Sequence, residues 1–133
     1  MNSFTKINHI ALLISDLDKT RIFYGDILGL EEIERPVFRT QGIWYQLGEC
    51  QLHLMLIPNM VLPQSHPENR TVQPHFAMSV LAAEYRAIVD KLILADLEVV
   101  EERAFRINTE VRQAFFYDPN GNMIEIIATE DNA

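Results

Sequence analysis

Apolar and polar residues along the chain change period in an order that repeats once. From Ile7 to Ile14 every position but Asn8 and His9 is apolar and suited to a strand. Ser15-Asp16-Leu17-Asp18 then supplies a helix N-cap with acidic residues in the first turn. Leu17, Thr20, Tyr24, Ile27 and Leu28 fall on one stripe beside Phe23, which predicts a helix over 17–28 that ends at Gly29 in a left-handed cap. Strands follow at Glu31 to Arg35, Gly42 to Leu47 and Gln51 to Ile57, the last two joined at Gly48-Glu49. The stretch from Pro58 to Pro74 is rich in proline and has no sustained period, which predicts a linker. Beyond it the order returns: a strand from His75 to Val80, then a helix with Tyr85, Ile88, Val89, Leu92 and Ile93 on one side. Strands near Glu98 to Glu102, Arg112 to Tyr117 and Met123 to Ala128 complete it, with a turn at Asp118-Pro119-Asn120-Gly121. The expected class is α+β, two tandem βαβββ modules in one domain spanning 1–133: module one at about 5–57, a linker at about 58–73 and module two at about 74–129.

The repeat is visible in the residues themselves. Asn8-His9-Ile10-Ala11 matches Pro74-His75-Phe76-Ala77, and Gln51-Leu52-His53-Leu54 matches Met123-Ile124-Glu125-Ile126. Because strand side chains alternate, Ile10, Leu12 and Ile14 share one face and His9 the other; Leu52, Leu54 and Leu56 oppose His53. Module two splits the same way, with Phe76, Met78 and Val80 opposing His75, and Ile124 and Ile126 opposing Glu125. One face of each sheet is built to meet a helix, and the other carries His9, His53, His75 or Glu125. Imidazole or carboxylate groups on such a face must be hydrogen-bonded, hydrated or metal-bound. The four therefore fit either a polar cluster or a transition-metal site. Trp44 and Tyr45 are neighbours on one strand, so one of them shares the His53 face.

Composition removes several classes of function. A 133-residue chain that is 48% hydrophobic can fold around its own core. With a net charge of −8 and no basic run it is not expected to bind nucleic acid. No apolar run approaches the roughly 20 residues that span a bilayer, so no membrane role is expected. A single Cys50 and no signal-peptide pattern point to a reducing cytoplasm. Open strand edges suggest that a second copy covers them.

The sequence resembles the vicinal oxygen chelate superfamily, which includes glyoxalase I, fosfomycin-inactivating thiol transferases, extradiol dioxygenases and bleomycin-binding proteins. The resemblance is carried by Ile7-Asn8-His9-Ile10-Ala11-Leu12, Phe23-Tyr24-Gly25-Asp26-Ile27-Leu28-Gly29-Leu30, Gln51-Leu52-His53-Leu54-Met55, His75-Phe76-Ala77 and Asp118-Pro119-Asn120-Gly121-Asn122-Met123-Ile124-Glu125. It implies a glyoxalase-like fold, a curved eight-stranded cup with a metal on its floor. His9, His75 and Glu125 match the first, third and last ligand positions. His53 falls at the second, which glyoxalase I fills with Glu and which fosfomycin-modifying relatives do not use. Three imidazoles and a carboxylate suit a divalent transition metal such as Zn, Ni, Co or Fe. The implied activity is that of a lyase or isomerase, acting on a small α-hydroxycarbonyl or hemithioacetal through a metal-chelated enediolate, with Glu125 as the catalytic base. The alternatives are a drug-binding module of the bleomycin-resistance type and thiol transfer to an epoxide. The substrate would be a small molecule, in one case a glutathione or other thiol adduct whose carboxylates Arg35, Arg39 and Arg70 could meet. A homodimer is the implied assembly.

Overall fold

A computed structural model of the protein describes residues 3–59, 73–106 and 109–129. The chain divides into two compact units, Met1–Val61 and Leu62–Ala133. Most of the expected linker, with Arg70, lies outside the described residues.

The first unit places β1 (His9–Ile14), β2 (Glu31–Ile33), β3 (Gly42–Leu47) and β4 (Cys50–Leu56) in one sheet with the order β1-β4-β3-β2. β1 runs parallel to β4, opposing His9 to Gln51 and Ala11 to His53. β3 runs antiparallel to β4, opposing Trp44 to His53. Between β1 and β2 the helix α1 (Leu17–Arg21) starts at Asp16, whose carboxylate accepts the backbone N–H of Lys19 at 2.9 Å. The sequence predicts one α-helix to residue 28; instead Ile22–Ile27 is π-helical, with the Leu28 N–H donating to the Phe23 carbonyl at 2.9 Å. A widened turn narrows the angle between neighbouring side chains, so Phe23 and Tyr24 both reach the core. Gly25 lies in that turn, and a Cβ there would stand 3.5 Å from the Tyr45 hydroxyl. Gly29 takes a φ of 74°, the left-handed cap its sequence position predicts. Ile14, Phe23, Tyr24, Ile43, Tyr45, Leu52 and Leu54 form the buried core.

The second unit repeats the plan with β5 (His75–Leu81), α2 (Ala82–Leu94), β6 (Val100–Arg106), β7 (Thr109–Tyr117) and β8 (Met123–Thr129), ordered β5-β8-β7-β6. β5 is parallel to β8 and opposes Ala77 to Glu125; β7 is antiparallel to β8 and opposes Phe115 to Glu125. Tyr85, Val89 and Leu92 of α2 are buried with Ala114, Phe116, Ile124 and Ile126. Ile93, expected on that stripe, is half exposed in the last turn of the helix. β6 and β7 extend as a ladder through Arg106 and Thr109, beyond their expected limits. Among the described residues, two four-stranded sheets with one helical segment each give the α+β class that the pattern predicts.

The turn into β8 is fixed by Asp118. Its buried carboxylate accepts the N–H groups of Asn120 and Asn122 through Oδ1, both at 2.8 Å, and the Asn122 side-chain amide through Oδ2 at 2.9 Å. Gly121 adopts a φ of 92°. β8 leaves this turn at Met123 and carries Glu125 as its third residue. No helix among the described residues is long and apolar enough to cross a membrane.

Candidate metal centre

Each unit gathers two of the four expected residues. In the first, alternation places His9, His53 and Trp44 on the sheet face opposite the helical segment. Their rings form a row: His9 stacks on His53 with centroids 4.2 Å apart, and His53 stacks on Trp44 at 3.6 Å and an interplanar angle of 4°. Phe38 continues the row at 6.1 Å from Trp44, and the Arg35 guanidinium lies over Phe38 at 4.9 Å. Arg35 is held by the Thr40 carbonyl and hydroxyl at 2.9 and 3.3 Å. It fills the space above Gly42, where a Cβ would come within 2.9 Å of its Nε. Of the arginines that the resemblance offers to a thiol adduct's carboxylates, Arg35 is tied to Thr40 beside the row and Arg39 is exposed.

Each ring has one nitrogen facing a carbonyl oxygen. The Asn8 Oδ1 lies 2.8 Å from Nδ1 of His9, and the Gln73 carbonyl lies 2.9 Å from Nδ1 of His75. Carbonyl oxygens only accept, so in the neutral form of either ring Nδ1 donates and Nε2 keeps its lone pair. Metal-binding histidines are held in this way by the partners behind them. His53 is reversed: its Nε2 lies 2.9 Å from the Gln51 Oε1 and donates to it.

In the second unit Glu125 lies on the central strand β8 and is only 6% exposed, not an edge carboxylate facing water. Gln113 donates Nε2 to Glu125 Oε1 at 2.9 Å, and Glu125 Oε2 stands 3.7 Å from His75 Nε2. Burial raises the Glu125 carboxyl above its ordinary range, and His75 and Gln113 only partly oppose that. Phe115 packs edge-on to His75 at 5.8 Å. Within either unit, among the described residues, no three His, Cys, Asp or Glu side chains are gathered closely enough to hold an ion. The donor chemistry of each pair nonetheless fits a transition metal: imidazole nitrogens with oriented lone pairs and a carboxylate with one oxygen already held.

Alternation located the four candidates but not their supports. Asn8, Gln73 and Gln113 carry no periodic signal; Gln51, two residues before His53 on one strand face, was the one that could be read from spacing. Cys50 is free and half-buried at the start of β4. A cavity of about 270 Å³ lined by Tyr85, Arg86, Glu101, Glu102 and Arg112 occurs in the second unit. There the Tyr85 hydroxyl, pushed up to about 12 mainly by burial, donates to Glu101 at 3.1 Å, and Arg86 pairs with the same carboxylate. These contacts tie α2 to β6.

Burial pushes the His53 imidazole below its ordinary value, and the neighbouring His9 and Arg35 act in the same direction. Between the unfolded value of 6.5 and the lowered folded value the unfolded chain therefore binds more protons than the folded one, and stability is lost as pH falls through that window. The urea midpoint of the metal-free protein should drop more steeply between about pH 7 and about pH 5 than that of His53→Gln. Parallel slopes for the two proteins would contradict this.

The family described as the Glyoxalase/Bleomycin resistance protein/Dioxygenase superfamily matches the chain over residues 6–126. Over 124 residues the chain is 29% identical to "Glyoxylase I 4" of Arabidopsis thaliana, covering 92% of this chain and 70% of that protein. Over 121 residues it is 26% identical to metallothiol transferase FosB of Shouchella clausii, covering 90% of this chain and 77% of that one. The crystal structure of a glyoxalase/dioxygenase from Nostoc punctiforme superposes with a TM-score of 0.76 at 28% identity, covering 96% of this chain and 97% of the other.

Proposed function

The chain belongs to the glyoxalase/bleomycin resistance protein/dioxygenase superfamily, and from that premise we propose that it is a metal-dependent lyase or isomerase of the glyoxalase type. Its substrate would be a small α-hydroxycarbonyl or hemithioacetal. The observation that carries this reading is the pairing of His75 with Glu125: an imidazole whose Nδ1 is committed to a backbone carbonyl, beside a buried carboxylate with a raised proton affinity. His9, His75 and Glu125 would hold the ion, with the His53 ring packed on His9. The ligands would be supplied by one chain or shared between the two chains of a homodimer. Nitrogen and carboxylate donors favour Zn, Ni, Co or Fe over Mg or Ca.

Bound there, the metal would supply Lewis-acid polarisation of a carbonyl oxygen. The chain's own residues handle the proton. Gln113 holds Oε1 of Glu125, and Oε2 would take the proton from the carbon beside the carbonyl and return it to the former carbonyl carbon, while the substrate's hydroxyl proton passes to the former carbonyl oxygen. Burial brings the carboxylate's proton affinity closer to that of its working environment, which strengthens it as a base. Gln73 keeps the His75 Nε2 lone pair available throughout.

A second reading is thiol transfer to an epoxide. One observation favours it: with His53 Nε2–H donated in a hydrogen bond to Gln51, three candidate ligands remain, the number used by fosfomycin-modifying proteins. Similarity to a metallothiol transferase agrees with this.

Protein purified without chelator should carry about one transition-metal ion per chain, lost in His75→Ala. Elemental analysis and titration of the stripped protein measure this; no uptake by the wild type would sink both readings. The loaded protein is then given hemithioacetals, and separately fosfomycin with a thiol. Isomerisation of the first supports the glyoxalase reading, and consumption of thiol with the second supports transfer. Mixing His9→Ala with His75→Ala chains and measuring metal uptake locates the ligands: recovery means that two chains share a site.

A further inference from the structure

We infer that His53 is a positioning residue and not a metal ligand: clamped between Trp44 and His9, its ring holds the His9 imidazole so that Nε2 is presented. The inference rests on the proposed metal site and assigns the one candidate ligand whose geometry differs from the other two histidines.

Three features lead to it. First, the nitrogens are used in the opposite sense. His9 and His75 each face an acceptor with Nδ1 and leave Nε2 open, whereas His53 gives Nε2 to Gln51 and leaves only Nδ1, the nitrogen next to its own Cβ. Second, both faces of the His53 ring are covered. Trp44 stands directly opposite across the β3–β4 ladder and lies 4° from parallel at 3.6 Å; His9 on β1 covers the other face at 17° and 4.2 Å. A ring sandwiched in this way cannot rotate without displacing two neighbours, so its orientation is set by packing. Third, the row is braced at its far end. Phe38 follows Trp44, Arg35 lies across Phe38, and Arg35 is fixed by Thr40 and by the absence of a side chain at Gly42. The orientation of His9 is thereby tied to the segment between β2 and β3. Gln51, directly opposite His9 in the β1–β4 register, locks the in-plane angle of the His53 ring. Supporting groups of this kind typically change metal affinity by about 10–100-fold when removed.

The test separates ring from donor. Metal-stripped wild type, His53→Phe and His53→Ala are titrated with Zn²⁺. A positioning ring predicts that His53→Phe binds close to wild type, while His53→Ala weakens by about 10–100-fold. If His53→Phe loses as much affinity as His53→Ala, the donor matters and the inference is overturned. A second measurement needs no variant. In ¹⁵N spectra of the wild type, both His53 ring nitrogens should keep their metal-free shifts when Zn²⁺ is added, while Nε2 of His9 moves; a moving His53 Nδ1 overturns the inference. If the wild type takes up no metal, the proposed function fails, and the stack is judged in the metal-free state. There the His9 ring protons should be shielded in wild type and His53→Phe and released in His53→Ala. Equal shifts in all three would show that the ring positions nothing.

Discussion

Glu125→Gln should lower turnover of a hemithioacetal by about two to four orders of magnitude, the usual contribution of a positioned proton-transfer group. The same substitution should make the metal-free protein more stable at alkaline pH. The two effects share a cause. Burial raises the Glu125 carboxyl, so the folded state holds its proton to higher pH than the unfolded chain does. Between the unfolded value of 4.5 and the raised folded value, the folded state binds more protons, and stability declines as pH rises through that window. Glutamine has nearly the same shape and can still accept from Gln113 through its carbonyl oxygen, but carries no buried charge. The urea midpoint of Glu125→Gln should therefore exceed that of the metal-free wild type near pH 8 and converge with it near pH 4, both about these values. If Glu125 holds a metal as proposed, adding Zn²⁺ should reverse the order, because only the carboxylate form would gain from binding. Wild-type turnover in the variant would remove Glu125 from the chemistry, and an unchanged midpoint near pH 8 would remove the burial argument.

Gly42→Ala should destabilise the first unit by about 1–3 kcal/mol, the range for forcing atoms into a packed region. A Cβ at 42 would collide with the Leu54 carbonyl oxygen and stand 2.9 Å from Arg35 Nε. The arginine can move, but the carbonyl belongs to the ladder between β3 and β4 and cannot move without breaking it. Arg35→Ala added to Gly42→Ala should consequently restore little of the loss. Chemical denaturation gives the magnitude. Emission from Trp44, the only tryptophan, gives a local readout, because the shift of Arg35 and Phe38 changes the indole's surroundings. A variant with the wild-type midpoint would refute the close approach.

The strand and helix order was legible because each apolar run has a single period. His9, His53, His75 and Glu125 stood out because each breaks the apolar composition at matching places of a repeat. Other features were not legible, for particular reasons. The π-helical turn at Ile22–Ile27 leaves the stripe nearly unchanged and shows only in which carbonyl each N–H meets. The β6–β7 ladder runs through Arg103, Arg106 and Thr109 on main-chain hydrogen bonds that require no apolar side chain, so the pattern stopped short of it. The burial of Glu125 depends on β8 being flanked by β5 and β7, which periodicity within one strand cannot reveal. The Trp44–His53 stack depends on register across a hairpin; only the face shared by the two residues followed from alternation.

The parallel pairing of β1 with β4, and of β5 with β8, bears on how the protein is made. Each unit's first strand leaves the ribosome well before its ladder partner, and loop closure over the whole unit must come before that ladder forms. The β3–β4 hairpin can close as soon as Leu56 emerges, but until then β1 waits with both edges unpaired. A chain stalled within β3 holds a His9–Ile14 segment without its strand partner β4, an exposed edge of the kind that chaperones and proteases engage.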